Sequence, residues 1–146
     1  MYKNILVPVD LTDKNLPAVE EALRLSSRRN ATVTLLHVIE TLDLPFEEIE
    51  EFYKQLAAKA RRKLRHLGKQ VSGRGVEMRY ETTYGRRVRA ILDHIVDHEN
   101  DLVVITSDRI EPGDPASSWM TISHQVALFA ECSVMLVRIV EPDDDV

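Results

Sequence analysis

The sequence predicts an α/β fold, a doubly wound parallel sheet with helices on both faces, and three observations carry that prediction. Strand-like and helix-like segments alternate from one end of the 146 residues to the other. Two strand-like segments, residues 4–9 and 101–106, are apolar almost throughout, as strands buried on both faces are. The segments between strands space their apolar residues by three and four, and right-handed crossovers through such helices wind a parallel sheet outward in both directions.

The first strand carries Ile5, Leu6, Val7 and Val9 and ends at Asp10. Thr12 or Asp13 can cap the helix after it, whose face is Leu16, Val19, Ala22 and Leu23, with Pro17 in its tolerant first turns and Arg28, Arg29 and Asn30 at its close. A second strand runs over residues 31–39 with Val33, Leu35, Leu36, Val38 and Ile39. A long helix starting at Pro45 shows Phe46, Ile49, Phe52, Tyr53, Leu56, Ala60, Leu64 and Leu67, and Gly68 with Ser72, Gly73 and Gly75 is expected to mark its exit. Residues 76–83 alternate Val76, Met78, Tyr80 and Thr82 with Glu77, Arg79 and Glu81, the half-exposed pattern of a strand near a sheet edge. Gly85 opens a third helix with Val88, Ile91, Leu92, Ile95 and Val96 on one face. After the strand at 101–106, the stretch from Ser107 to Ser118 is broken by Pro112, Gly113 and Pro115; a helix over Ile122, Val126 and Phe129 and a last strand, Val134 to Val140, follow.

Composition bounds the function. An apolar share of 44 % beside 29 % charged residues is that of a globular domain, and the end, residues 141–146, is acidic and expected to fray. The net charge of −5 argues against a nucleic-acid partner. The basic groups at Lys59 to Arg65 and at Arg86, Arg87 and Arg89 sit at helical spacing and read as solvated outer faces. No apolar run approaches the roughly 18 residues needed to span a bilayer, no signal-peptide pattern precedes the first strand, and a lone Cys132 suits a reducing compartment, so a cytoplasmic address without membrane contact is expected.

Ligands of doubly wound sheets bind beyond the carboxyl ends of the strands, which makes Asp10 and the loop from Ser107 the first places to look. Asp10 has a bland alternative as a capping residue. His94 and His98 stand one helical turn apart, a spacing that can hold a metal, yet the apolar face of their helix leaves both on the solvated side, so no metal is expected. His37 and His124 read as hydrogen-bonded structural residues and Cys132 as a small core residue. Neither a nucleophile elbow nor a carboxylate pair can be assembled, and an enzyme is not expected.

Lys3-Asn4-Ile5-Leu6-Val7-Pro8-Val9-Asp10, Leu35-Leu36-His37-Val38-Ile39, Gly85 before Ile91-Leu92, residues 101–105, and Ala130-Glu131-Cys132-Ser133-Val134-Met135-Leu136-Val137-Arg138 occur in the order and at the separations of the universal stress protein family. The chain resembles that family over essentially its whole length. The resemblance implies one domain over residues 1–140, a Rossmann-like sheet of the adenine nucleotide alpha hydrolase type with strand order 3-2-1-4-5, a role in stress response, and a homodimer formed through the last strand, Val134 to Val140.

Members that bind ATP carry Gly-x-x-Gly after the fourth strand and, past nine intervening residues, Gly followed by Ser or Thr. Those positions fall here on Ser107, Ile110, Met120 and Thr121, so only the hydroxyl is matched. Bulk replaces glycines that let backbone amides approach phosphate, and Glu111 and Asp114 add negative charge against the single counter-charge of Arg109. Asp10 and Val38 match the positions that meet the adenosine part. The expectation is a non-enzymatic, ATP-independent homodimer with no cofactor, working through protein partners. The alternative is a regulator binding ATP or AMP through Asp10, Val38, Ser107, Arg109 and Thr121, and more remotely a nucleotide hydrolase. Trp119 and Met120 are expected to plug the vacated pocket.

Overall fold

In the computed structural model, which describes residues 1–27, 29–41, 46–71, 75–113, 115 and 121–139, five strands alternate with four helices. The strands are β1 (Asn4–Pro8), β2 (Thr32–Ile39), β3 (Glu77–Tyr84), β4 (Leu102–Ser107) and β5 (Ser133–Arg138). The helices are α1 (Leu16–Leu25), α2 (Phe46–Val71), α3 (Arg87–Asp97) and α4 (Ile122–Phe129). The sheet order is β3-β2-β1-β4-β5, and every pairing is parallel.

Period-two alternation splits each inner strand between two cores. Ile5, Val7 and Val9 point with Val33, Leu35 and Val104 toward α1 and α2, where Val19, Ala22, Leu64 and Leu67 meet them. Leu6, Leu36, Val38, Val103 and Ile105 point the other way, onto Ile91 and Ile95 of α3 and Val126 of α4. β1 and β4 are apolar in sequence because both of their faces are covered.

Three local expectations are corrected. The exit of α2 falls within the expected stretch from Gly68 to Gly75, but Gly68 is not part of it: the helix runs on to Val71, and Ser72 and Gly73 lie outside the described residues. Tyr80 of β3 lies so close over Gly68 that a Cβ there would land on its ring and hydroxyl, so the glycine serves contact and not termination. Thr12 begins a short 3-10 turn at Asp13–Asn15, but its hydroxyl makes no capping bond.

The third correction concerns α3. Val96 is 54 % exposed, while His94 is 8 % exposed and belongs to the buried side beside Ile91 and Ile95. The reason lies outside the helix: Glu81 of β3 and Asn100 after α3 supply polar partners for both ring nitrogens, at 2.8 and 2.9 Å, so the imidazole can be buried satisfied. Cys132 is half-buried against the α3/α4 core, and burial pushes its thiol above the ordinary value.

Candidate functional site

β1 and β4 are neighbours in space, and the chain leaves them in opposite directions across the sheet, so a crevice opens beyond their carboxyl ends. A cleft of about 330 Å³ occupies that place, lined among others by Asp10, Val38, Arg87, Thr106, Asp108 and Thr121.

The Asp10 side is built by a sharp turn. Leu11 takes a left-handed conformation with φ of 71°, which folds the chain back over the preceding carboxylate. Asp10 Oδ1 accepts the Thr12 amide at 3.0 Å, the Thr12 hydroxyl at 2.6 Å and the side-chain amide of Asn15, which is itself buried. Burial alone would raise the Asp10 pKa, but the Thr12 hydroxyl and amide, the Asn15 amide and the Lys14 charge outweigh it and hold the group below its ordinary 3.8. All of these bonds land on Oδ1; among the described residues Oδ2 has no partner and keeps its lone pairs for the cleft. On the β2 side, His37 donates from Nδ1 to the Val9 carbonyl at 2.9 Å, tying the floor of the cleft together below Val38.

The β4 side is different in kind. Ser107 is buried, 2 % exposed, and its hydroxyl accepts from Ser123 at 2.9 Å and from Arg138 Nη1 at 2.8 Å while donating to the Asp108 carbonyl at 3.2 Å. Arg138 also donates to the Asp108 carbonyl at 3.1 Å. The Ser107 side chain thus knits β4, α4 and β5 to one another. Thr121 lies at the start of α4 and lines the cleft, its hydroxyl paired with His124 Nδ1 and 3.3 Å from the Ser123 hydroxyl. Arg109 does not line the cleft; it is 75 % exposed and paired with Glu111 at 3.3 Å.

Of the five residues singled out in the sequence, the fold gathers Asp10, Val38 and Thr121 around one cleft, sets Ser107 one hydrogen bond behind it through Ser123, and leaves Arg109 outside. Trp119 and Met120 lie outside the described residues, as does Val140 of the last predicted strand.

Sequence reasoning missed Arg87. Periodicity put it on the solvated face of α3, but it stands in the first turn of that helix, and first turns after a strand face the carboxyl end of the sheet. It lines the cleft with its guanidinium 3.6 Å from Glu40. The signal was position after a strand–glycine boundary, Gly85 with φ of 135°, and not charge. Thr106 was missed too: it lines the cleft, and its hydroxyl is buried without a hydrogen-bond partner among the described residues.

A five-stranded sheet of this order with a cleft at its switch point defines a Rossmann-like α/β domain. The chain belongs to the universal stress protein family, whose profile matches residues 1–138. It is 26 % identical to Universal stress protein YxiE of Bacillus subtilis, covering 94 % of this chain and all of that one. The universal stress protein UspA of Lactobacillus plantarum superposes with a TM-score of 0.73 at 27 % identity, over 94 % of this chain and 98 % of its own. A family protein from Arabidopsis thaliana, solved with AMP bound, superposes with a TM-score of 0.65 at 20 % identity, over 97 % of each chain. Among the described residues no helix is long and apolar enough to cross a membrane.

Proposed function

We propose that this chain is a cytoplasmic, non-enzymatic stress-response homodimer that does not depend on ATP and acts through protein contacts. The observation that carries the reading is the charge and filling of the cleft. Asp10 and Asp108 bring two carboxylates to its lining, and the one guanidinium among the described lining residues, on Arg87, is already shared with Glu40. A triphosphate brings several negative charges to that place and meets repulsion without a basic clamp. The buried Ser107 side chain adds to this, because a network of side chains now stands where a backbone approach to phosphate needs glycine.

A second reading is favoured by what the cleft keeps. Its volume, near the lower end of the roughly 300–1,000 Å³ of small-molecule sites, suits a nucleoside, and Asp10 Oδ2 offers an acceptor for a ribose hydroxyl. AMP, bound to the Arabidopsis relative, or adenosine is the ligand of this reading.

Calorimetric titration with ATP, AMP and adenosine, with and without magnesium, tests both. Silence across the series supports the first reading, heat with adenosine and AMP but not ATP supports the second, and tight magnesium-dependent ATP binding overturns both.

A further inference from the structure

Away from the cleft, α3 and β3 bring together three groups that share no residue with it. Glu81, His94 and His98 each place a ligand atom within 4.8 Å of the other two. We propose that this cluster is a binding site for a borderline divalent transition ion of the zinc class, held by two imidazoles and one carboxylate with the remaining positions open to water.

The ligand chemistry comes first. Two histidines and a glutamate form a donor set that zinc accepts, and three protein ligands leave an open coordination position. His94 stands in the last turn of α3 and His98, four residues on, is its C-cap, and their rings stack on one side of the helix end. Glu81 reaches them from the exposed edge strand, on the face of β3 that looks toward α3. Two donors on one tetrahedral ion at about 2.0–2.2 Å stand about 3.4 Å apart; His94 Nε2 and Glu81 Oε2, hydrogen-bonded at 2.8 Å, need only part by a few tenths of an ångström to admit one. His98 is stacked on His94 with ring centres 3.9 Å apart and planes 11° from parallel. His98 is exposed, which leaves its ring room to reorient toward the other two ligand atoms.

The second argument is the set of groups behind the ligands. A metal-bound histidine donates its other N–H to a fixed acceptor, which sets tautomer and ring plane. His94 does so: Nδ1 donates to Asn100 Oδ1 at 2.9 Å, and Asn100 is buried and donates in turn to Asn4 Oδ1 at 3.0 Å. Asn4 closes the chain by donating to the His98 carbonyl at 2.6 Å. His98 Nδ1 lies 3.3 Å from the His94 carbonyl, which turns its Nε2 outward. An ion at the cluster would take the place of the proton that His94 Nε2 and Glu81 Oε2 share, so metal binding competes with that hydrogen bond.

The test is zinc titration of tag-free protein by calorimetry, with cobalt as a spectroscopic probe of the ligand set. One zinc per chain is expected. His98→Ala removes an exposed side chain and Glu81→Gln keeps the shape beside His94, so both variants fold, which circular dichroism checks; each is expected to weaken zinc by about tenfold or more. Asn100→Ala is expected to weaken it by a smaller factor with the ligands intact. Zinc affinity unchanged in both His98→Ala and Glu81→Gln, or no zinc bound by the parent protein at millimolar metal, overturns the proposal.

Discussion

Asp10 has two demands on it, one from each side of its carboxylate. Oδ1 holds the β1–α1 turn through Thr12 and Asn15, and loss of such a capping acceptor costs about 1 kcal/mol. Asp10→Ala is therefore expected to lower stability by about that amount in urea titration at neutral pH, whether or not a ligand exists. Because the folded carboxyl titrates below its ordinary 3.8, the charged form contributes stability that is complete above that value and is lost as the pH falls through the folded pKa. The gap between parent and Asp10→Ala should therefore narrow in acid; a gap that stays constant from pH 7 to pH 3 would show that the charge does not hold the turn.

Gly68 gives a second test at single-residue resolution. In a helix interior alanine is worth about 1 kcal/mol more than glycine, but a methyl group here meets the Tyr80 ring, and overpacking costs about 1–3 kcal/mol. Gly68→Ala should destabilise the parent and turn neutral or stabilising in a Tyr80→Ala background. Equal effects in the two backgrounds would remove the contact as the reason for the glycine.

At the scale of elements, β5 is the one to watch. Among the described residues it pairs only with β4, and Val134, Met135, Leu136 and Val137 are all only half-buried on that edge. Phe129, at 64 % exposed, and Leu128, at 73 %, lie at the end of α4 just before it. An apolar edge of this kind is an aggregation template unless association covers it. Sedimentation is expected to give a dimer, and amide exchange should be slow at alternate β5 residues whose N–H groups point away from β4. A monomer with those amides exchanging fast would assign the edge no such role. Phe129→Glu, a change at an exposed site, should shift the equilibrium toward monomer if the flank of the edge belongs to the contact.

For the whole molecule, the architecture was legible because both faces of the inner strands are covered, which leaves unbroken apolar runs at β1 and β4, and because the alternating pattern of Met78 and Tyr80 with Glu77 and Arg79 marked β3 as an edge. The site was legible in half. Asp10 sits at a strand end, where topology alone points, and Val38 came from the family resemblance. Arg87, Glu81 and His94 were not legible, since each takes its role from a partner on another element: Glu40, His94 and Asn100 lie 47, 13 and 6 residues away from the residues they engage. Helical periodicity sees one helix at a time, so it placed His94 in solvent although β3 and the start of β1 close over it.

The turn at Asp10 also bears on how such a chain changes over generations. A side chain that folding needs for its own sake is retained after a ligand is gone, whereas loop glycines with no other task are free to drift once nothing binds beside them. Asp10, with Thr12 and Asn15 hanging on one oxygen, is of the first kind, and the family resemblance would put the second kind at Ser107 and Ile110. A relative that shares the aspartate is for that reason a poor witness to ancestral binding, and the loop is the better archive.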